Sequence, residues 1–263
     1  MAKITKIEAQ KRQGRYNVYL DDKYAFPVAE SVLIQFRLMK GMEIDQELEA
    51  QITTADQIAR AYSRMLDYLS HQLRTESDVI KKLRDLETPE EFIEPVLQKL
   101  RAQKLLDDHE YAASYVRTEM NTDLKGPENI RQRLRIKKIG ENDIDDALAQ
   151  FTPERQLENA TKLAKKLFRR YRSQPTRRQE QKVRQGLITK GYPSSIYDQI
   201  KEQVEPQEDF EQQEELLERQ AEKLWYRYRW YDGREREIKF KQAMYRKGFD
   251  LDAVQEWLDN HEL

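Results

Sequence analysis

Two hydrophobic periods divide this chain. Over its first fifty residues apolar positions alternate with polar ones. Ile4, Ile7 and Ala9 come first, then Tyr16, Val18 and Leu20 after Gln13-Gly14-Arg15, then Tyr24-Ala25-Phe26-Pro27 after Asp21-Asp22-Lys23. A period of two bounded by turn residues predicts a small antiparallel sheet. Ser31 to Leu38 reads as a short helix, and Lys40-Gly41-Met42-Glu43 as a turn into a last extended piece. From residue 54 onward the period is helical, and it repeats.

The repeat is seen by aligning its apolar anchors. Val79-Ile80-Lys81-Lys82-Leu83 precedes Ile93 and Leu97, and Ile130 to Leu134 precedes Ile144 and Leu148. Val183 to Leu187 precedes Ile196 and Ile200, and Phe240 to Met244 precedes Val254 and Leu258. Leu83, Leu134, Leu187 and Met244 lie 51, 53 and 57 residues apart. A turn separates each pair: Glu87-Thr88-Pro89, Lys138-Ile139-Gly140, Gly191-Tyr192-Pro193 and Gly248-Phe249-Asp250. A longer helix leads each pair, over about 55–73, 108–121, 154–172 and 209–231. Thr54 with Gln57, Asp107 with Glu110, and Thr88-Pro89-Glu90-Glu91 read as caps. The expected division is a β-rich region at 1–53 and three-helix repeats at 54–107, 108–152, 153–206 and 207–263. One triplet buries too little surface to be secure alone, and stacking neighbours solves that. The fold class expected is mainly α: an elongated, curved array of three-helix repeats with a small N-terminal β region. Small-angle scattering tests the array. A radius of gyration near the compact value, about 18 Å for this length, would count against it.

Composition narrows the chemistry. Of 263 residues, 36% are charged and 38% hydrophobic, and 14 Tyr, 8 Phe and 3 Trp are too many large rings for an unfolded chain. The absence of Cys excludes a disulfide scaffold and a thiolate site, and three scattered His leave little for zinc or for His-based catalysis. No phosphate loop, Gly-x-Ser-x-Gly or His-Glu-x-x-His occurs. Asp107-Asp108 and Asp145-Asp146 read better as a helix cap and a solvated face than as metal ligands. No catalytic residue, metal or cofactor is expected, and folding is expected to need none. No run nears 18 apolar residues, and Met1-Ala2-Lys3-Ile4 opens no signal peptide, so the expectation is a cytoplasmic protein without membrane contact.

A net charge of −1 conceals segregation. Lys162 to Lys190 holds eleven basic residues and one acid, Glu180. At 100° per residue, Leu157, Ala160, Ala164, Leu167, Phe168 and Tyr171 form a buried stripe, with Lys162, Lys165, Lys166, Arg169, Arg170 and Arg172 opposite. A solubilising face mixes signs, whereas a one-sign face points to a polyanion or an acidic protein surface. Arg177, Arg178, Lys182, Arg184 and Lys190 continue it onto the next helix. In the fourth repeat, Leu217, Ala221, Leu224, Tyr228 and Tyr231 read as core, and Trp225 as structural. Tyr226 and Trp230 point away beside Arg219 and Lys223. Such rings stack on bases or fill a partner's pocket; the alternative is packing against the third repeat or the sheet. Arg131, Arg133, Arg135, Lys137 and Lys138, close to Asp143, Asp145 and Asp146, read as ordinary surface.

Leu105-Leu106-Asp107-Asp108-His109-Glu110-Tyr111-Ala112, then Tyr115-Val116, Gly126, Ile130 and Leu134, resemble the signature of the RecX family of bacterial RecA regulators. Ile139 to Leu148 and Leu66-Asp67-Tyr68-Leu69-Ser70 extend the likeness, which covers 55–263 and, less specifically, the strands. Lys138 stands where the family usually has Gly, and His71 where it usually has Arg. The added strands and fourth repeat are similar to the longer Gram-positive members. The resemblance implies a non-enzymatic, cofactor-free protein acting in DNA repair, homologous recombination and the SOS response. It would bind RecA and RecA–DNA filaments and inhibit ATPase and strand exchange. The chain itself is expected to be a monomer. The one-sign face from Lys162 to Lys190 carries a further expectation, that DNA alone is bound weakly and without sequence specificity. A stand-alone nucleic-acid-binding helical scaffold is the alternative.

Overall fold

The computed structural model describes residues 2–204 and 210–261. Strands β1 (Ala2–Ala9), β2 (Arg15–Leu20), β3 (Lys23–Ala29) and β4 (Glu43–Ile44) form an antiparallel sheet in the order β3-β2-β1-β4. Asp21 and Asp22 link β2 to β3 with φ of 46° and 65°. Two successive positive φ values define the tight hairpin turn that matches strand twist. Helix α1 (Glu30–Gln35) follows. Ile4, Val18, Phe26 and Val28 close on Val32, Leu38 and Ile44, and on Ile52 and Ala59 of α2 (Gln46–Ser70).

Helix α2 starts nine residues before the expected 55 and so begins inside the stretch read as the N-terminal region. Asp45 is the cap, accepting from the Leu48 N–H at 2.8 Å, and Glu47 and Glu49 favour the positive end of the helix dipole. Thr54 lies within the helix and forms no capping box with Gln57. The helix serves two cores. Its first half packs on the sheet, while Ala61 and Met65 pack on Val79, Leu83, Ile93, Val96, Leu97 and Leu100 of α3 (Glu76–Asp85) and α4 (Glu90–Ala102).

The later helices are α5 (Asp108–Thr122), α6 (Pro127–Ile136) and α7 (Glu141–Leu148), then α8 (Pro153–Tyr171), α9 (Thr176–Thr189) and α10 (Ile196–Val204). They end with α11 (Phe210–Arg227), α12 (Gly233–Lys247) and α13 (Leu251–His261). The expected boundary at 206–207 and helix start at 209 lie outside the described residues. Asp107 caps α5 as expected, accepting from the Glu110 N–H at 2.9 Å. Pro89, in contrast, is itself the N-cap of α4 and makes no side-chain cap, so the box expected at Thr88 and Glu91 does not form. By compactness the chain divides into two units, 1–112 with 137–139, and 113–136 with 140–263.

The four anchors Leu83, Leu134, Leu187 and Met244 are all fully buried, and four residues after each the backbone turns left-handed. Glu87, Lys138, Gly191 and Gly248 have φ of 56°, 62°, 90° and 98°. The next N–H returns to the anchor carbonyl: Thr88 to Leu83 at 3.0 Å, Tyr192 to Leu187 at 3.1 Å and Phe249 to Met244 at 3.2 Å. This closure satisfies a terminal carbonyl and turns the following side chain inward, where Ile139, Tyr192 and Phe249 are buried. The third and fourth copies use glycine, which takes this conformation without a Cβ penalty.

Within the second unit, α6 and α9 meet end to end. The Gly126 N–H donates to the Lys190 carbonyl at 2.7 Å, the Glu128 N–H to the Gly191 carbonyl at 3.1 Å, and Asn129 Nδ2 to the Thr189 carbonyl at 2.9 Å. Amides unpaired at one helix start thus meet carbonyls unpaired at another helix end. Tyr192 adds a hydroxyl bond to the Leu124 carbonyl at 3.1 Å, and burial raises the pKa of its phenol.

Candidate polyanion-binding surface

Helix α8 is set by Thr152, which caps it by accepting from the Arg155 N–H, and by Pro153 in the first turn, where a missing N–H costs nothing. Ala160, Leu163, Ala164 and Phe168 are buried, and Leu157, Leu167 and Tyr171 half-buried, as the wheel requires. Asn159 shares the inner face and donates to the Met120 carbonyl at 2.8 Å.

Lys162, Lys165, Lys166, Arg169, Arg170 and Arg172 are all exposed on the opposite side. Glu158 binds Lys162 at 2.6 Å and Arg155 at 2.7 Å, and these hydrogen bonds hold its carboxyl below the usual range. Beyond it α8 has no acid. Among the described residues, Lys165, Lys166, Arg169, Arg170 and Arg172 form no ion pair. Arg169 and Arg170 occupy the last turn, where the helix dipole favours cations. The dipole accounts for two positive charges there, but not for five in succession without a counter-ion.

The α9 cations are placed differently. Arg177 and Arg178 are exposed, and Lys182, Arg184 and Lys190 half-buried. The Arg177 guanidinium lies 4.2 Å from the Tyr245 ring centre and donates to its hydroxyl at 2.6 Å. Arg178 donates to Gln181 at 2.6 Å, and Lys182 sits 5.0 Å over Tyr171. Arg184 stacks 4.3 Å over Tyr197 and pairs with Asp198 at 2.6 Å. The basic strip therefore divides into solvent-facing charges along α8 and, on α9, Arg177, Arg178, Lys182 and Arg184 engaged with other side chains. Periodicity on one helix does not show this, because Tyr171, Tyr197, Asp198 and Tyr245 belong to other helices.

On α11, Ala221 and Leu224 are buried and Leu217 and Trp225 half-buried; Tyr228, just past its end, is half-buried too. Tyr231, expected in the core, does not join it. The helix ends at Arg227, short of the expected 231, so Tyr231 follows a turn and is 39% exposed. It rests 6.2 Å from Tyr228 with Lys239 4.5 Å over its ring. Trp225 packs edge-on to Phe240 and Trp257, capped by Arg236 at 3.7 Å. Tyr226 and Trp230 are 67% and 79% exposed, so packing does not account for these two rings; Trp230 lies in the turn after α11 and not on its face, and the cation against both rings is Arg229, not Arg219 or Lys223. In the second repeat, Arg131 pairs with Glu141 and Asp145, Arg135 with Glu141, and Lys137 with Asp78.

Among the described residues no helix is long and apolar enough to cross a membrane. The architecture is that of a helical-repeat protein in which a four-stranded sheet precedes successive three-helix units, one of them with an uncompensated cationic helix. The chain belongs to the RecX family. The regulatory protein RecX N-terminal domain matches residues 2–45, the first three-helix domain 61–100 and the second 107–148. The third three-helix domain matches twice, at 154–200 and 211–258. The chain is 71% identical to the regulatory protein RecX of Limosilactobacillus reuteri over 98% of both chains. It is 36% identical to that of Bacillus subtilis, again over 98% of both. A crystal structure of regulatory protein RecX superposes with a TM-score of 0.72 at 73% identity, over 77% of this chain and all of that one. RecX from Lactobacillus salivarius gives 0.54 at 42% identity, over 57% of this chain and 97% of that one.

Proposed function

We propose that this protein is a non-enzymatic, cofactor-free cytoplasmic regulator that binds RecA and RecA–DNA filaments. In this reading it mostly inhibits ATP hydrolysis and strand exchange in DNA repair. Membership of a family of regulatory proteins supports it, and one observation carries it. Five cations in a row, Lys165, Lys166, Arg169 and Arg170 on α8 and Arg172 at its C-cap, face solvent with no counter-ion among the described residues. Such a face repels itself and is relieved by a polyanion. RecA-dependent ATP hydrolysis on single-stranded DNA, measured with increasing amounts of this protein, tests the proposal; an unchanged rate at saturating protein would sink it. Binding to RecA without DNA separates it from a scaffold that binds nucleic acid alone.

DNA binding by the protein itself should be weak, nearly sequence-independent and steeply salt-dependent. Five phosphate contacts on a single strand give a log–log slope of roughly −3.5, so affinity should fall about 100-fold between 50 and 200 mM salt. Among the described residues no helix is read as carrying a base-reading set of side chains, so changing the sequence should matter little. A titration that is flat over this range would refute the electrostatic account.

A further inference from the structure

We infer that Tyr226, Arg229 and Trp230 form a stacking platform for unpaired nucleobases. It is a second DNA subsite, which lets the protein prefer single strands over duplex. The inference rests on the proposed contact with DNA, and adds to it a site with different chemistry.

The Arg229 guanidinium lies 4.0 Å from the Tyr226 ring centre and 4.7 Å from that of Trp230. Its Nη1 also reaches the Tyr226 carbonyl at 3.4 Å. One cation thus holds Tyr226 on the last turn of α11 and Trp230 in the turn after it, where a Tyr231 N–H bond to the Tyr228 carbonyl bends the chain. The rings bury little of their own surface, at 67% and 79% exposed. Two large exposed rings contribute little to the fold, and an arginine wedged against both reduces the freedom they would lose on binding. The cation at the rings points to the occupant. Arg229 lies against both rings and Arg227 is exposed next to Tyr226 in sequence, so an anionic strand is attracted. A base in a duplex has both faces covered by its neighbours, whereas a single strand offers free faces to rings and to a guanidinium. The α8 cations read only phosphates and do not make this distinction.

The test compares three fluorescent strands of equal length: oligo-dT, an abasic sugar-phosphate strand and a duplex. The parent should bind oligo-dT more tightly than the abasic strand. The Tyr226→Ala, Trp230→Ala double variant should lose about ten-fold or more on oligo-dT, with the abasic strand and duplex unchanged. Arg229→Ala should fall between, and Trp230→Phe should stay close to the parent. The platform is overturned if the double variant binds oligo-dT as the parent does, or loses equally on the abasic strand. It is also overturned if the variant keeps DNA but loses the RecA filament, since the rings then fill a protein pocket. A parent that binds no strand at 50 mM salt would sink the α8 reading and the platform together, and one that binds all three equally would sink only the platform.

Discussion

Reversing Arg169, Arg170 and Arg172 to Glu together should remove most of the inhibition of RecA while leaving the fold in place. All three side chains are exposed and lie off the stripe of Ala160, Ala164 and Phe168 that α8 buries. Surface substitutions usually change stability by under about 0.5 kcal/mol each. Arg169 and Arg170 also lose a favourable place at the C-terminal end of the helix dipole, about 0.3–1 kcal/mol apiece at low salt. Relief of repulsion from Lys165 and Lys166 offsets part of this. Circular dichroism should therefore match the parent, with the melting temperature lower by a few degrees at most. Binding responds differently, because three attractions become three repulsions within one Debye length of the partner. The loss should appear mainly in association rate and in a shallower salt dependence. The matched Arg→Gln triple variant, neutral instead of reversed, should fall between the two. Full inhibition by the Glu variant would make α8 a solvated surface and place the functional contact elsewhere.

The division of this surface shows what the sequence made legible. Periodicity places the α8 cations correctly because a single helix determines both the buried stripe and its opposite face. The anchors are equally legible, since Leu83, Leu134, Leu187 and Met244 each precede a chain reversal by a constant four residues. Two kinds of feature stay hidden. Helix ends depend on whichever acceptor wins locally. Asp45 begins α2 well upstream of Thr54, and α11 stops at Arg227 although Tyr228 to Tyr231 continue its pattern. Contacts between helices are invisible to a wheel drawn for one of them. Arg184 reads as a free cation until Tyr197 and Asp198 of α10 are brought beside it, and Arg229 gains its role only from rings three residues before it and one after. Gly126 is legible as part of the family signature, but the reason for it lies 65 residues away in Gly191.

Gly126→Ala should be among the most damaging single-methyl changes in the second unit, with Gly191→Ala on the other side of the same contact. A Cβ at position 126 would lie 2.4 Å from both the carbonyl carbon and oxygen of Gly191, and 2.6 Å from the Tyr192 nitrogen. These are backbone atoms, so no side-chain rotation relieves the clash. The two helix ends must separate, which weakens the 2.7 Å and 3.1 Å bonds from Gly126 and Glu128 to the end of α9. Overpacking costs about 1–3 kcal/mol, and each buried amide left without a partner adds about 1–3 kcal/mol. A loss of about 3 kcal/mol or more is expected, seen as a fall in melting temperature of roughly 6–12 °C for a chain of this size. Gly140→Ala is the matched control. Its φ is −65°, and the nearest atom to an added Cβ is a carboxylate oxygen of Asp143 at 3.6 Å, so stability should move by no more than about 0.5 kcal/mol. The two glycine variants also separate stability from function. Gly126→Ala leaves every α8 cation in place, so below its melting transition it should still inhibit RecA. The arginine reversal should behave in the opposite way, losing inhibition while the fold remains. A Gly126→Ala protein that melts with the parent would show that α6 and α9 do not meet backbone to backbone.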